Sequence, residues 1–388
     1  MLKKSWIVPY FALEEEGKPL YDQVDFSHEG GLSKEEVKDH KSPPPFSFNI
    51  FIDGTMRLYN VGLAQPYAPV FVAVVSVAVL RRKNRKLYNT SISNSLTLLL
   101  FPFETYREYL QTAQIGVSYA DIEGSINNFR RQFSVFREQD LDYRKVGGRE
   151  IFRRPNVLLV CDTSKRGIVQ KDHVLISKED LNNPKKIKEA ALARVRYIMG
   201  LLEFGCLLSA SDRFSGSYIL KDGLIERYSR VQSIFGIDRE TYQDLLKNVV
   251  GFIKYPRRIP PEVMANMLHL KEYEYYRWTG RPEDEEEDTN SSPDMEELFD
   301  FALLRFRSLP RVPEAPVGIV KLQTLKTNQT TTNLKDIIKA VLQERYPLPS
   351  NPKRIYSEPY PISEAEKVAK AQLPSEAKIR GLVYALIG

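Results

Sequence analysis

FNIFIDGTMRLYNVG, residues 48–62, sets an aspartate directly after an apolar run and follows it with glycine. FNIFI is made of large apolar and β-favouring side chains, so it predicts a strand. The DG step then admits two readings. Asp can cap its own turn while Gly accepts a positive φ. Alternatively, a rigid strand end holds the Asp53 carboxylate where sheet meets solvent, poised for a cation. The device recurs in YILKDGLIERY, residues 218–228, at Asp222 and Gly223.

Outward from Asp53 the pattern predicts a sheet. After the DG turn come two more strands, VFVAVVSVAVL (70–80) and KLYNTSISNSLTLLLFPF (86–103). Between the last two lies RRKNRK, read as the crown of a hairpin. The 11 residues of the Val-rich run are too few to cross a bilayer, so it reads as a buried strand. NVLLVCDTS (156–164) predicts a strand ending at Asp162, NVVGFIKYPRR (248–258) one ending at Lys254, and PVGIVKLQT (316–324) another. The clearest helix spans 185–210, with a preceding Pro, none inside, and Leu192, Val195, Met199, Leu202 and Cys206 on one face. Residues 104–145 read as polar and helical in part; helices are expected at 262–278, 295–306, 334–346 and beyond 360. Strands alternating with helices favour an α/β fold, built on a mixed or antiparallel sheet, over all-α or all-β classes.

Three segments follow: an arm over 1–46 anchored by Trp6, Tyr10 and Phe11, a main domain over 47–373, and an apolar C-terminal segment over 374–388. GRPEDEEEDTNSSPD (280–294) repels itself and has little to pack, so it reads as an exposed loop. With 42% hydrophobic and 27% charged residues the chain is globular. MLKKSWIVPYF lacks a secretory pattern, which predicts a soluble, cytoplasmic protein. Cys161 and Cys206 lack metal-ligand spacing and lie in apolar runs, as buried thiols do.

The net charge of +6 mildly favours a polyanionic partner. Arg81, Arg82, Lys83, Arg85 and Lys86 on the hairpin are candidates for tracking nucleic-acid phosphates, against the plainer reading of a solvated surface. Arg130, Arg131, Arg149, Arg153 and Arg154 extend the positive charge, and Arg57 and Arg196 are further candidates for backbone contact.

Glu203 lies inside LLEFGCLL, where an unpaired carboxylate is expensive to bury. Pairing with Arg196, one helical flank away, relieves that cost; so does a cation shared with Asp53 and Asp222. Two carboxylates about 4 Å apart repel by roughly 4 kcal/mol at an effective dielectric of about 20. A divalent ion reverses that sign, and oxygen donors suit Mg²⁺ or Mn²⁺, with open positions for phosphate oxygens. Lys254 can place a cation beside a scissile phosphate, against the plainer reading of a surface strand terminus.

Together FIDGTMR (51–57), RVRYIMGLLEF (194–204), ILKDGLI (219–225), VVGFIKY (249–255) and EPYPISEAEKVA (358–369) resemble the NurA nuclease family. The resemblance implies an RNase H-like core with added helices, a dimer, and manganese-dependent endonuclease and 5′-to-3′ exonuclease hydrolysis of DNA. It further implies partnership with HerA, a hexameric DNA-translocating ATPase, in end resection for DNA repair. Residue by residue, it carries the metal-binding and catalytic carboxylates onto Asp53, Glu203 and Asp222, and the lysine-bearing strand onto Lys254. The family's active-site histidine falls on Glu366, which can bind a metal but cannot reproduce a neutral imidazole's donor–acceptor pattern. That departure leaves open a catalytically impaired assembly subunit, or a nucleic-acid-binding module in which the DG steps are only turns.

Overall fold

The computed structural model describes residues 7–14, 32–38, 42–64, 68–103, 133–163, 183–256, 259–280, 299–308, 317–326, 333–350 and 355–387. The anchor Trp6, the side chains of Tyr10 and Phe11, Arg130 and Arg131, and the acidic run after Gly280 lie outside them. The strands are β1 (Ile7–Glu14), β2 (Ser33–Glu36), β3 (Phe48–Ala64), β4 (Ala68–Lys83), β5 (Lys86–Asn89), β6 (Asn94–Phe101) and β7 (Ser134–Arg137). They continue with β8 (Val157–Asp162), β9 (Tyr218–Asp222), β10 (Val249–Ile253), β11 (Glu274–Gly280), β12 (Phe299–Arg305) and β13 (Ile319–Leu325). The α-helices are α1 (Gly148–Ile151), α2 (Pro184–Arg213), α3 (Tyr228–Phe235), α4 (Arg239–Leu246), α5 (Pro261–Asn266), α6 (Leu334–Gln343), α7 (Tyr360–Gln372) and α8 (Glu376–Ile387).

All 13 strands among the described residues belong to one sheet, in the order β2-β11-β12-β13-β10-β9-β3-β4-β6-β8-β7, with β1 on β3 and β5 on β4. At its centre β3, β4 and β6 form an antiparallel meander. β9 then runs parallel to β3, and β10 parallel to β9. Reading across, β6-β4-β3-β9-β10 is the strand arrangement of an RNase H-like core. The fold is therefore an α/β mixed sheet with flanking helices, and β11–β13 widen it by antiparallel pairing.

The two faces of the sheet carry separate cores. Ile50, Ile52, Val75, Val77 and Val79 pack beneath α2 through Val195, Ile198 and Leu202. Phe51, Ala78, Leu80, Leu220 and Phe252 lie on the other side, against α6 and α7. Helix α2 starts where expected: Pro184 occupies its first turn and the Asn183 side chain accepts from the Lys185 N–H. Both cysteines are buried; burial raises the Cys161 thiol well above its ordinary range and pushes Cys206 up to about 12. Among the described residues, no helix is long and apolar enough to cross a membrane.

Three local expectations are corrected. The DG step at Asp53–Gly54 is not a turn, because β3 runs unbroken for 17 residues and pairs Asp53 with Ala78 and Gly54 with Val77. Phe299–Arg305 is a strand rather than a helix, buried between β11 and β13, where sheet pairing outweighs its helical propensity. The stretch 262–278 is helical only at its start, in α5 and a 3₁₀ turn over Met267–His269, before β11 takes its end. RRKNRK is the expected hairpin: Asn84 and Arg85 both take positive φ, the signature of a two-residue turn matched to strand twist.

Arg194 of α2 is paired with Glu138 beside the sheet, both nearly buried. Burial outweighs the guanidinium and raises the Glu138 carboxyl to about 7. A folded-state value above the unfolded one adds stability at low pH, and that stability is lost as pH climbs through about 7. Glu138→Gln should therefore flatten the fall in urea midpoint between pH 5 and 7.5; an equally steep fall in the variant would contradict this origin.

Candidate metal centre

Alternation along β3 decides what Asp53 meets. Asp53 points to the same face as Phe51, under α7, and Gly54 to the face of Ile52, under α2. On the first face, carboxylate oxygens of Asp53, Glu358 and Glu366 all lie within 4.8 Å of one another. Glu358 precedes α7 and is fully buried, whereas Glu366, inside α7, is half-buried and pairs with Lys370 at 2.8 Å. Arg307 fixes the approach to α7 by donating to the carbonyls of Ile355 and Glu358.

Asp222 and Lys254 join this face because they follow Leu220 and Phe252 by two residues on neighbouring parallel strands. The Lys254 ammonium lies 3.0 Å from Asp222 Oδ2 and 4.0 Å from Asp53 Oδ2, and it is paired with Glu358. Burial opposes its charge, but Asp222, Asp53 and Glu358 together hold its pKa above the ordinary lysine value. The Asp53 carboxyl, 3% exposed, is raised well above its usual range, first by burial and then by the negative charge of Asp222, with Lys254 opposing. Asp53 Oδ2 and Asp222 Oδ1 are buried without a hydrogen-bond partner among the described residues.

On the other face Glu203 is ion-paired with Lys221, and both are buried. Lys221 also donates to the carbonyls of Asp222 and Leu224 at 2.9 and 2.8 Å, which fixes the turn at Gly223. Gly223 has φ +79°, so this second DG step is the turn expected of it. Burial raises the Glu203 carboxyl and Lys221 opposes the shift. The sheet thus sets Glu203 on the face opposite to Asp53 and Asp222. Glu203 stands outside the Asp53–Glu358–Glu366 group, and its ion partner is Lys221 rather than Arg196, which is exposed.

Gly54 has a packing role in this arrangement. A Cβ there would come 2.3 Å from Glu203 Oε1 and 3.3 Å from Met199 Cγ. Gly54→Ala should cost about 1–3 kcal/mol through overpacking. Glu203→Asp in the same chain should return part of the loss, and denaturation midpoints that simply add would contradict this contact.

Two residues of the site escaped the sequence reading. Glu358 was in view within EPYPISEAEKVA but carried no signal of burial, and Lys221 looked like an ordinary strand residue. The candidate phosphate contacts are spread apart. Arg57 is exposed on β3, and Arg81, Lys83, Arg85 and Lys86 are exposed on the hairpin. Arg82 is engaged elsewhere: Glu344 accepts from its two terminal nitrogens at 2.8 and 2.7 Å, and its guanidinium lies over Phe51.

Known proteins add a remote likeness. No family model matches the chain, and no curated protein matches it. The NurA nuclease from Sulfolobus solfataricus superimposes with a TM-score of 0.36 and 11% identity, covering 91% of this chain and 88% of that one. A structure of NurA bound to dAMP and manganese gives 0.28 and 11%, covering 87% of each chain. The similarity is structural and distant.

The donor set suits a hard divalent cation. Three carboxylates, one of them partly open to solvent, converge with a buried oxygen of Asp53 that lacks a hydrogen bond. The group can hold such an ion, and no thiol chemistry is within reach, since both cysteines are buried with raised pKa values.

Proposed function

We propose that the chain is a metal-dependent nuclease that hydrolyses phosphodiester bonds in DNA. The observation that carries the reading is the convergence of Asp53, Glu358 and Glu366 within 4.8 Å at the strand nearest the middle of an RNase H-like sheet. Asp53, Glu358 and Glu366 would hold a divalent cation, Mn²⁺ or Mg²⁺, with Asp222 across Lys254 from Asp53. When bound, such an ion neutralises charge developing on the phosphate and lowers the pKa of a water.

The chain's own groups have distinct tasks. Lys254 holds a positive charge among Asp53, Asp222 and Glu358, which lowers the cost of gathering them before substrate arrives. Asp222 Oδ1, buried without a partner among the described residues, is available to accept from a water and orient it. Glu203 and Lys221 act at one remove: their pair fixes the backbone that presents Asp222, and Glu203 is a positioning residue in this reading.

The motif order along the chain supports a place in the NurA family. With it come the finer elements: manganese preference, 5′-to-3′ exonuclease and single-strand endonuclease activity, a homodimer, and delivery of DNA by a HerA-type hexameric translocase. Incubating the full chain with end-labelled linear DNA and Mn²⁺, Mg²⁺ or EDTA tests the activity. Cleavage with a divalent ion and none in EDTA is expected; the absence of cleavage under every metal would refute the enzyme. Light scattering and co-purification with a coexpressed ring ATPase test the dimer and the partner.

A further inference from the structure

Strand parity divides the basic hairpin. Arg82 turns toward α6 and is neutralised by Glu344, whereas Arg81 and Lys83 turn to the face of α2. There they meet the C-terminal end of that helix. The Phe214 ring carries the Arg81 guanidinium at 4.5 Å and that of Arg213 at 5.7 Å. Ser91 Oγ accepts from Arg213 at 2.6 Å and orients it. With Tyr88, which is 51% exposed, these residues line a cleft of about 270 Å³.

Among the described residues no carboxylate forms an ion pair with Arg81, Lys83 or Arg213, although ion pairs are frequent elsewhere on this surface. Three cations lining one cleft, two of them over the same ring, repel one another without a counter-ion, and an anion in the cleft offsets that cost. The Phe214 face favours a guanidinium above it, which holds both side chains toward the cleft and its ligand. Hydroxyls of Ser91 and Tyr88 add donors at the rim.

The cleft is separate from the acidic group. Arg81 pairs with Ile50, three residues from Asp53, which is about 10 Å along the strand, and it faces the opposite side of the sheet. We propose that this cleft grips the phosphate backbone of a nucleic-acid strand outside the metal centre. The proposal shares with the nuclease reading only the premise that the chain handles nucleic acid, and binding without metal separates the two.

The test is fluorescence anisotropy of a labelled single-stranded oligonucleotide of about 20 nucleotides, titrated with the full chain in EDTA over a range of KCl. Arg81→Gln with Arg213→Gln should weaken binding about tenfold or more near 100 mM salt and reduce the slope of log K on log salt by about 1.4. Phe214→Leu, which keeps every charge, should weaken it about threefold or more, as loss of stacked order demands. Lys247→Gln with Arg380→Gln removes the same charge elsewhere and should change the affinity less than about twofold. Should the double variant melt early, Arg81→Gln alone, at an exposed position, should still weaken binding about threefold.

Unchanged affinity and slope in the Arg81 and Arg213 variants would overturn the proposal. So would an equal loss in the Lys247 and Arg380 control, which would mean general charge attraction. Displacement of the oligonucleotide by dAMP at about 1 mM would also overturn it, because the cleft would then be a free-nucleotide site.

Discussion

Replacing Asp53 by Asn should abolish metal-dependent DNA cleavage and at the same time stabilise the metal-free protein. Asp53 contributes to the three-carboxylate group and lies close enough to Asp222 for their charges to oppose each other. If the group supplies about 4 kcal/mol of charge stabilisation in the transition state, its loss lowers the rate roughly a thousandfold. Stability should move the other way. The wild-type carboxyl is disfavoured by burial and by Asp222, and an amide of the same shape removes that conflict. Thermal unfolding in EDTA should thus show a higher midpoint for Asp53→Asn, and added Mn²⁺ should raise the wild-type midpoint but not the variant's. A variant that cuts normally, or one that unfolds earlier in EDTA, would contradict these assignments.

Lys221→Met should be the most destabilising single change near the site. Lys221 and Glu203 have side chains only 3% and 8% exposed, so removing the ammonium leaves a buried carboxylate without its counter-charge. Breaking such a pair on one side costs about 3–5 kcal/mol. The turn at Gly223 also loses two anchors, because Lys221 donates to the carbonyls of Asp222 and Leu224. Replacing both partners, Lys221→Met with Glu203→Leu, should restore most of the stability, since an apolar pair can substitute for a buried ion pair. Urea denaturation of the two variants measures both effects. A double variant as unstable as the single one would mean that Glu203 is not held chiefly by Lys221. Activity separates positioning from ligation. Recovery of cleavage in the folded double variant supports positioning, and a stable but inactive double variant would place Glu203 in the chemistry itself.

The sequence made the strands legible where apolar runs were long, and it located Asp53, Asp222 and Lys254 on them. Its error at Asp53–Gly54 has a physical source. Glycine after aspartate signals a turn when local chemistry dominates, but here Gly54 makes room for Glu203 arriving from a helix about 150 residues later in the chain. No local pattern reports such a contact. Glu358 was hidden for a similar reason: its burial depends on Arg307 and on the docking of α7, both long-range. Lys221 and Arg82 were readable in principle. Strand alternation puts Lys221 opposite to Asp222, and Arg82 opposite to Arg81 and Lys83, so parity alone could have separated paired cations from available ones. Phe299–Arg305 was misread because a short apolar run with Leu and Ala suits a helix equally well until neighbouring strands claim it.

If Asp53, Glu358 and Glu366 share one divalent cation, anomalous diffraction from crystals grown with Mn²⁺ should show a manganese peak bonded to oxygens of all three side chains, at about 2.0–2.3 Å from each. A peak centred between Glu203 and other groups, or none at a concentration that supports cleavage, would contradict it.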